Sequence, residues 1–94
     1  MKLWILRPVE NLPDGDNPWD PWYDKTFGFV VRAETEDQAR EFAHNEGADE
    51  NRGRFLGRVI ANTKEPWKDA RYTTCIELTT HGEPGVVIED HRAA

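Results

Sequence analysis

Serine is absent from this 94-residue chain, and with it every serine-based nucleophilic mechanism. The one cysteine, Cys75, makes no internal disulfide, no CxxC redox pair and no thiolate cluster for structural zinc. A lone thiol suits a reducing compartment, so a cytoplasmic location is expected. No apolar run approaches the roughly 20 residues that span a bilayer. The opening Met1-Lys2-Leu3-Trp4-Ile5-Leu6-Arg7 is too short for a signal-peptide core and lacks a small-residue cleavage site, so no membrane association is expected. Neither a GxGxxG pattern nor a Walker-type loop occurs, and no nucleotide cofactor is expected. His44, His81 and His91 form no HxxxH or HExxH pair. Asp14-Gly15-Asp16-Asn17 with Asp20 begins like a calcium loop. Trp19 then stands where the sixth-position glycine is needed, and Lys25 where the terminal bidentate Glu is needed, so no metal site is expected. Cations are also scarce. Twelve Lys and Arg against 18 Asp and Glu leave a net charge of -6, which argues against the phosphate backbone as a direct partner and favours a basic protein surface.

Aromatic residues are the abundant resource: they reach 11%, with 4 Trp, while hydrophobic residues total only 37%. Each ring buries about 150–250 Å², which raises the core area of a small chain. Residues 1–94 form one domain at this length. Lys2 to Arg7 is a compact apolar run ending before Pro8, with Leu3 and Ile5 on one face and Trp4 and Leu6 on the other, as in a central strand covered on both sides. Residues 10–25 are broken by Pro13, Gly15, Pro18 and Pro21 and form a structured loop. Phe27 to Ala33 alternates as a second strand, with Phe27, Phe29, Val31 and Ala33 on one face.

Thr35 as N-cap and Gln38 three residues later make a capping box, with Glu36 and Asp37 favoured in the first turn by the helix dipole. The helix runs from about Glu36 to Glu46, with an apolar stripe of Ala39, Phe42 and Ala43 and a left-handed stop at Gly47. Between Gly53 and Ala61 there is room for a brief strand or an irregular turn, and Pro66 opens a short helix through Trp67 to Ala70. Thr73 to Thr79 and Val86 to Ile88 flank a Gly/Pro turn and are expected to pair as a hairpin. The expected fold is α+β: a small, mostly antiparallel sheet of four strands, or five with the segment near Val59, packed on one main helix. One helix covers only one face of such a sheet. The other needs the Trp-bearing loop or a partner.

Charge is segregated. Residues 9–24 hold five carboxylates and no cation, residues 34–50 seven carboxylates and Arg40, and residues 51–72 six cations and two carboxylates. Either these stretches neutralise one another across the fold, or an acidic face steers the chain to a cationic target. Glu34, Asp37 and Glu41 are spaced to share one side of the helix. Asn17-Pro18-Trp19-Asp20-Pro21-Trp22-Tyr23-Asp24 offers rings at low entropy cost, either as interface anchors, as a stacking platform for a sugar, or as a cap folded onto the open sheet face. Cys75 sits mid-strand, where a buried inert thiol is the usual state.

The run from Pro18 to Ala33, continuing through Thr35-Glu36-Asp37-Gln38-Ala39-Arg40 and extending to Gly85-Val86-Val87-Ile88, resembles small bacterial and phage proteins to which no activity is attached. In size, acidity and lack of catalytic motifs the chain is also similar to anti-CRISPR proteins, some of which fill nucleic-acid channels with carboxylates. That likeness implies a phage or mobile-element inhibitor and transfers no individual residue. The expected function is a non-enzymatic protein-binding module for a basic surface. Asp20, Asp24, Glu34, Asp37 and Glu41 supply the charge, and Trp19, Trp22 and Tyr23 are the anchors. The competing expectations are a ligand-binding or enzymatic pocket built from the Trp loop with Arg7, Arg32 or Cys75, and a structural subunit that forms a homodimer through an open sheet face.

Overall fold

The computed structural model describes residues 1–13, 15–19, 24–51, 54–55, 58–59 and 64–90, with side chains left aside at 51, 54–55 and 58–59. The fold is α+β. Its sheet has three strands and not four or five: β1 (Lys2–Pro8) lies between β2 (Phe29–Ala33) and a strand at Thr73–Leu78, in antiparallel order throughout. Two dipeptides, β3 (Arg54–Phe55) and β4 (Arg58–Val59), pair with each other as a separate ladder, which makes the last strand of the main sheet β5. The expected brief strand near Val59 therefore exists, but outside the main sheet.

Pro8 explains where β2 begins. Val9 N–H donates to the Tyr72 carbonyl at 2.8 Å, so the odd-numbered residues of β1 exchange bonds with β5 and the even-numbered ones face β2. The next rung beyond Leu6–Phe29 would need an N–H from Pro8, which has none. Pairing stops at Phe29, two residues later than the alternation of Phe27 and Phe29 implied. The expected partner of β5, Val86 to Ile88, makes no strand. Val86 and Val87 are about four-fifths exposed. Three consecutive apolar residues carry no two-residue period to choose a face, and the loop before them, with Gly82 and Gly85 at positive φ, sets no hairpin register.

Helix α1 spans Glu36–Glu46, as the capping pattern predicted. Thr35 Oγ1 accepts from Gln38 N–H at 3.2 Å, while Gln38 Oε1 accepts from Glu34 N–H at 2.7 Å, one residue earlier than in the standard box. Gly47 is not left-handed: at φ -64 and ψ 157 it carries the chain out in an extended conformation toward the 3-10 turn Asp49–Asn51. The inward side of α1 also differs from the expected stripe. Ala39, Ala43 and Arg40 are buried, and Phe42 is 48% exposed. At 100° per residue, Arg40 falls beside Ala39 and Ala43 and Phe42 turns outward.

The core lies on the α1 side of the sheet. Leu6, Ala33, Ala39, Ala43, Trp19, Trp67 and Tyr72 are buried, and Trp4, Phe29, Val31 and Cys75 pack against them. The two alanines bring α1 close to the strands, and the 3-10 turn Pro66–Lys68 delivers Trp67 beside the helix. Trp67 meets Phe29 edge-to-face at 4.8 Å and Trp19 at 5.7 Å. The opposite sheet face stays open. Val30 and Ile76 are each 59% exposed, Leu3 is 36% exposed, and Ile5 and Leu78 are half-buried. The reading of β1 as covered on both sides fails here, because the described part of the Trp loop reinforces the helix layer instead of crossing over.

Candidate functional site

Of the expected anchors, Trp19 is a core residue. It is 3% exposed, its indole N–H donates to the Thr26 carbonyl at 2.8 Å, and its ring lies 6.5 Å from Phe27 in a stacked arrangement. Its place inside rules it out as an exposed anchor. Pairing an apolar ring with a single N–H that finds a carbonyl is the usual way a buried Trp is satisfied. Asp20, Trp22 and Tyr23 lie outside the described residues, as do Asp14 and His91.

Asp37 and Glu41 are exposed one turn apart on α1. Glu34 is exposed too, but it precedes the extended N-cap Thr35 and lies outside the helix, so helical spacing does not place it. Asp24 is exposed, and its carbonyl accepts from Asp49 N–H at 3.0 Å beyond the helix's C-terminal end. Charge segregation is partly cancelled within the fold. Lys68 lies 3.1 Å from Glu41, and Glu34 is 3.9 Å from the N-terminal ammonium. Asp24, Asp37 and Glu46 have no ion-pair partner among the described residues. The residue that sequence reasoning missed is Phe42. Its half-exposed ring lies one turn from Gln38 and Glu46, so an aromatic and a carboxylate share that side of α1. The missed signal was Arg40. Its register with Ala39 and Ala43 forces Phe42 outward once the Arg is accepted as an inside residue.

Of the residues expected to join the Trp loop in a pocket, Cys75 stands on a different sheet face from Arg7 and Arg32. Cys75 pairs with Leu6 on the helix side of the sheet, whereas Arg7 and Arg32 stand with Leu3 and Ile5 on the open side. Burial pushes the Cys75 thiol up from 9.0, so the protonated, non-nucleophilic form dominates at neutral pH. Among the described residues no group of His, Cys, Asp and Glu could hold a metal ion, and no helix is long and apolar enough to cross a membrane.

A polar groove of about 700 Å³ lies between Asp16, Lys64, Lys68, Arg71 and Tyr72. Asp16 Oδ1 accepts from Lys64 Nζ at 2.5 Å and from the Tyr72 hydroxyl at 2.8 Å, which ties the first loop to the entry of β5. The Lys64 and then the Tyr72 hydrogen bonds hold the Asp16 carboxyl below 3.8. The bond to Asp16 likewise raises Lys64 above 10.5 and Tyr72 above 10.0. A lowered carboxyl stabilises the fold above its ordinary value and loses that contribution as pH falls through the lower folded value. The two raised groups contribute below pH 10.0 and lose it as pH climbs through their folded values. The stability difference between wild type and Asp16→Asn should therefore be flat from about pH 4 to 10 and shrink on both sides, as urea denaturation across that range would show.

Comparison with protein-family models, known proteins and solved structures finds no match to this chain.

Proposed function

We propose that the chain is a non-catalytic protein-binding module that docks on a basic protein surface through the outer side of α1. The observation that supports this is Phe42, an aromatic ring 48% exposed one turn from Glu46, on a helix that also exposes Asp37 and Glu41 and is fixed to the core by Arg40. Rim carboxylates steer encounter with a cationic surface, and a ring lost to water at the centre supplies the binding energy. Glu34 at one end and Asp24 at the other extend the acidic row over the helix length, about 16 Å for 11 residues. A phage or mobile-element inhibitor of a basic, nucleic-acid-handling protein is the role that suits this surface.

Capture from a host lysate, compared between wild type, Phe42→Ala and the double variant Asp37→Lys/Glu41→Lys, tests it. The specific partner should be lost with the double variant, and its affinity should fall about tenfold or more with Phe42→Ala. Binding should also weaken steeply as salt is raised, since charges beyond about 10 Å are screened at 0.1 M. A partner indifferent to ionic strength removes the electrostatic reading. A partner retained by both variants removes α1 as the contact.

A further inference from the structure

On the face opposite α1 the three strands present a lattice of side chains in rows. The pairing places Val30, Ile5 and Ile76 side by side across β2, β1 and β5. One row toward the β1 N-terminus stand Arg32, Leu3 and Leu78, and one row the other way Arg7 and Thr74, with Gly28 opposite Arg7 by continuation of the register. The central row is aliphatic across the whole sheet, and its two outer members are 59% exposed. The flanking rows place one arginine each at diagonal positions. Beside Gly28 a depression of about 330 Å³ is bounded by Ile5, Arg7, Val30, Ile88 and Asp90. The C-terminal segment thus brings an apolar residue and a carboxylate to the rim of the face.

We propose that this face is the contact of a two-fold homodimer, with the strands of the two copies antiparallel across the interface. Sheets packed face to face keep their strands within about 30° of alignment, which leaves two directions for a two-fold axis in the interface plane. An axis along the strands sets Arg7 on Arg7 of the second copy and is disfavoured by like charge. An axis across the strands stacks the Val30–Ile5–Ile76 row on itself and lays Arg32 over Gly28 of the second copy. Gly28 itself presents no side chain, and Ile88 and Asp90 of that copy line the depression beside it. Arg32 has no ion-pair partner among the described residues of its own chain. The same axis lays Leu3 over Arg7 and Leu78 over Thr74 of the second copy.

Three strands about 4.8 Å apart and five residues of about 3.4 Å give a flat footprint of about 250 Å². Stable pairs bury about 800 Å² per partner. The sheet alone is too small for a tight dimer, and Ile88 supplies further apolar area at its rim. The surface is independent of the α1 side, so the two contacts succeed or fail separately.

Sedimentation equilibrium of the wild-type chain at about 10 to 500 μM, a range chosen for an interface of this modest size, should show a monomer–dimer equilibrium. Val30→Glu with Ile76→Glu places carboxylates on side chains already exposed, so the monomer keeps its circular dichroism and melting temperature while the dimer dissociation constant rises about a hundredfold or more. Arg32→Glu should raise it about tenfold, and adding Asp90→Arg to that variant should restore it. A wild-type monomer throughout overturns the proposal, as does a dimer untouched by the Val30/Ile76 pair, which would place the contact at a sheet edge. A dimer untouched by Arg32→Glu overturns the axis across the strands. Asp37→Lys/Glu41→Lys should leave the equilibrium unchanged.

Discussion

Trp67→Ala should leave the chain largely unfolded at room temperature, with its far-UV circular dichroism lost and its urea midpoint near zero. Trp67 is fully buried and is the largest such side chain in the core. It touches Phe29 and Trp19 with its ring edges, so its removal opens a cavity between the 3-10 turn, the sheet and the loop that carries Trp19. Large-to-small changes at such sites cost about 3–5 kcal/mol for Trp or Phe. A small domain has about 5–15 kcal/mol in total, and a chain of this size lies toward the low end. A polar term adds to the loss. The Trp67 indole N–H donates to Glu50 Oε1 at 3.2 Å, and Thr26 N–H donates to the same oxygen at 3.0 Å. Glu50 is 1% exposed and its second oxygen, Oε2, has no hydrogen-bond partner. Without the indole this buried side chain keeps a single donor. Trp67→Phe separates the two effects, because it fills most of the cavity and removes only the N–H. It should cost about 1–3 kcal/mol, the usual range for leaving a buried polar group unsatisfied. If Trp67→Ala melts within a few degrees of wild type, the Trp layer is not the core described above.

The legible parts of the fold are those governed by local chemistry. Thr35 and Gln38 act only on neighbouring backbone groups, so the start of α1 follows from sequence alone, and Phe29, Val31 and Ala33 keep their two-residue period on the covered face. The errors all arise where a distant residue decides. Pro8 ends a pairing that Phe27 and Phe29 advertise, and Trp19 is pulled inside by a ring 48 positions away. The run Val86-Val87-Ile88 is apolar enough for a strand, but it pairs with no described strand, although the outer edge of β5 is open among the described residues. At the candidate surface, helical spacing places Asp37 and Glu41 together, while Glu34 stands before the helix. Phe42 reads as inward because an aromatic near two alanines looks like core, and no sequence rule ranks it below an arginine. Legibility of the inward side of α1 therefore fails for one reason, the burial of a charge.

That charge is the second large effect. Arg40 is 7% exposed, and its guanidinium spends nearly all its donors in three directions. Nε meets Glu36 Oε2 at 2.9 Å, Nη1 meets the Trp67 carbonyl at 3.2 Å and Thr73 Oγ1 at 2.8 Å, and Nη2 meets the Thr73 carbonyl at 3.2 Å. Thr73 faces Pro8 across the non-bonded position of the ladder, so its carbonyl points away from β1 and has no strand to accept from. Arg40 is the group that satisfies it, and in doing so it fastens α1 to β5 and to the turn that carries Trp67. Arg40→Met keeps the length and apolar stem but leaves two buried carbonyls without these donors. The expected loss is about 3 kcal/mol, the usual range for breaking a buried charged network from one side. At about 4–8 °C per kcal/mol for a chain of this length, the melting temperature should fall by about 12–24 °C. Arg40→Lys retains the charge but not the planar fork, so one ammonium cannot reach all three partners, and it should recover less than half of the loss. Glu36→Gln, at a carboxylate about half exposed, should cost no more than about 1 kcal/mol, because the pair itself contributes little at the surface. Equal losses for Glu36→Gln and Arg40→Met would make the ion pair, and not the carbonyl contacts, the reason for the buried arginine. The carbonyl contacts act with the buried Ala39 and Ala43 to hold α1 in the rotation that turns Phe42 to solvent, so the proposed docking surface and the stability of the helix layer depend on the same arginine.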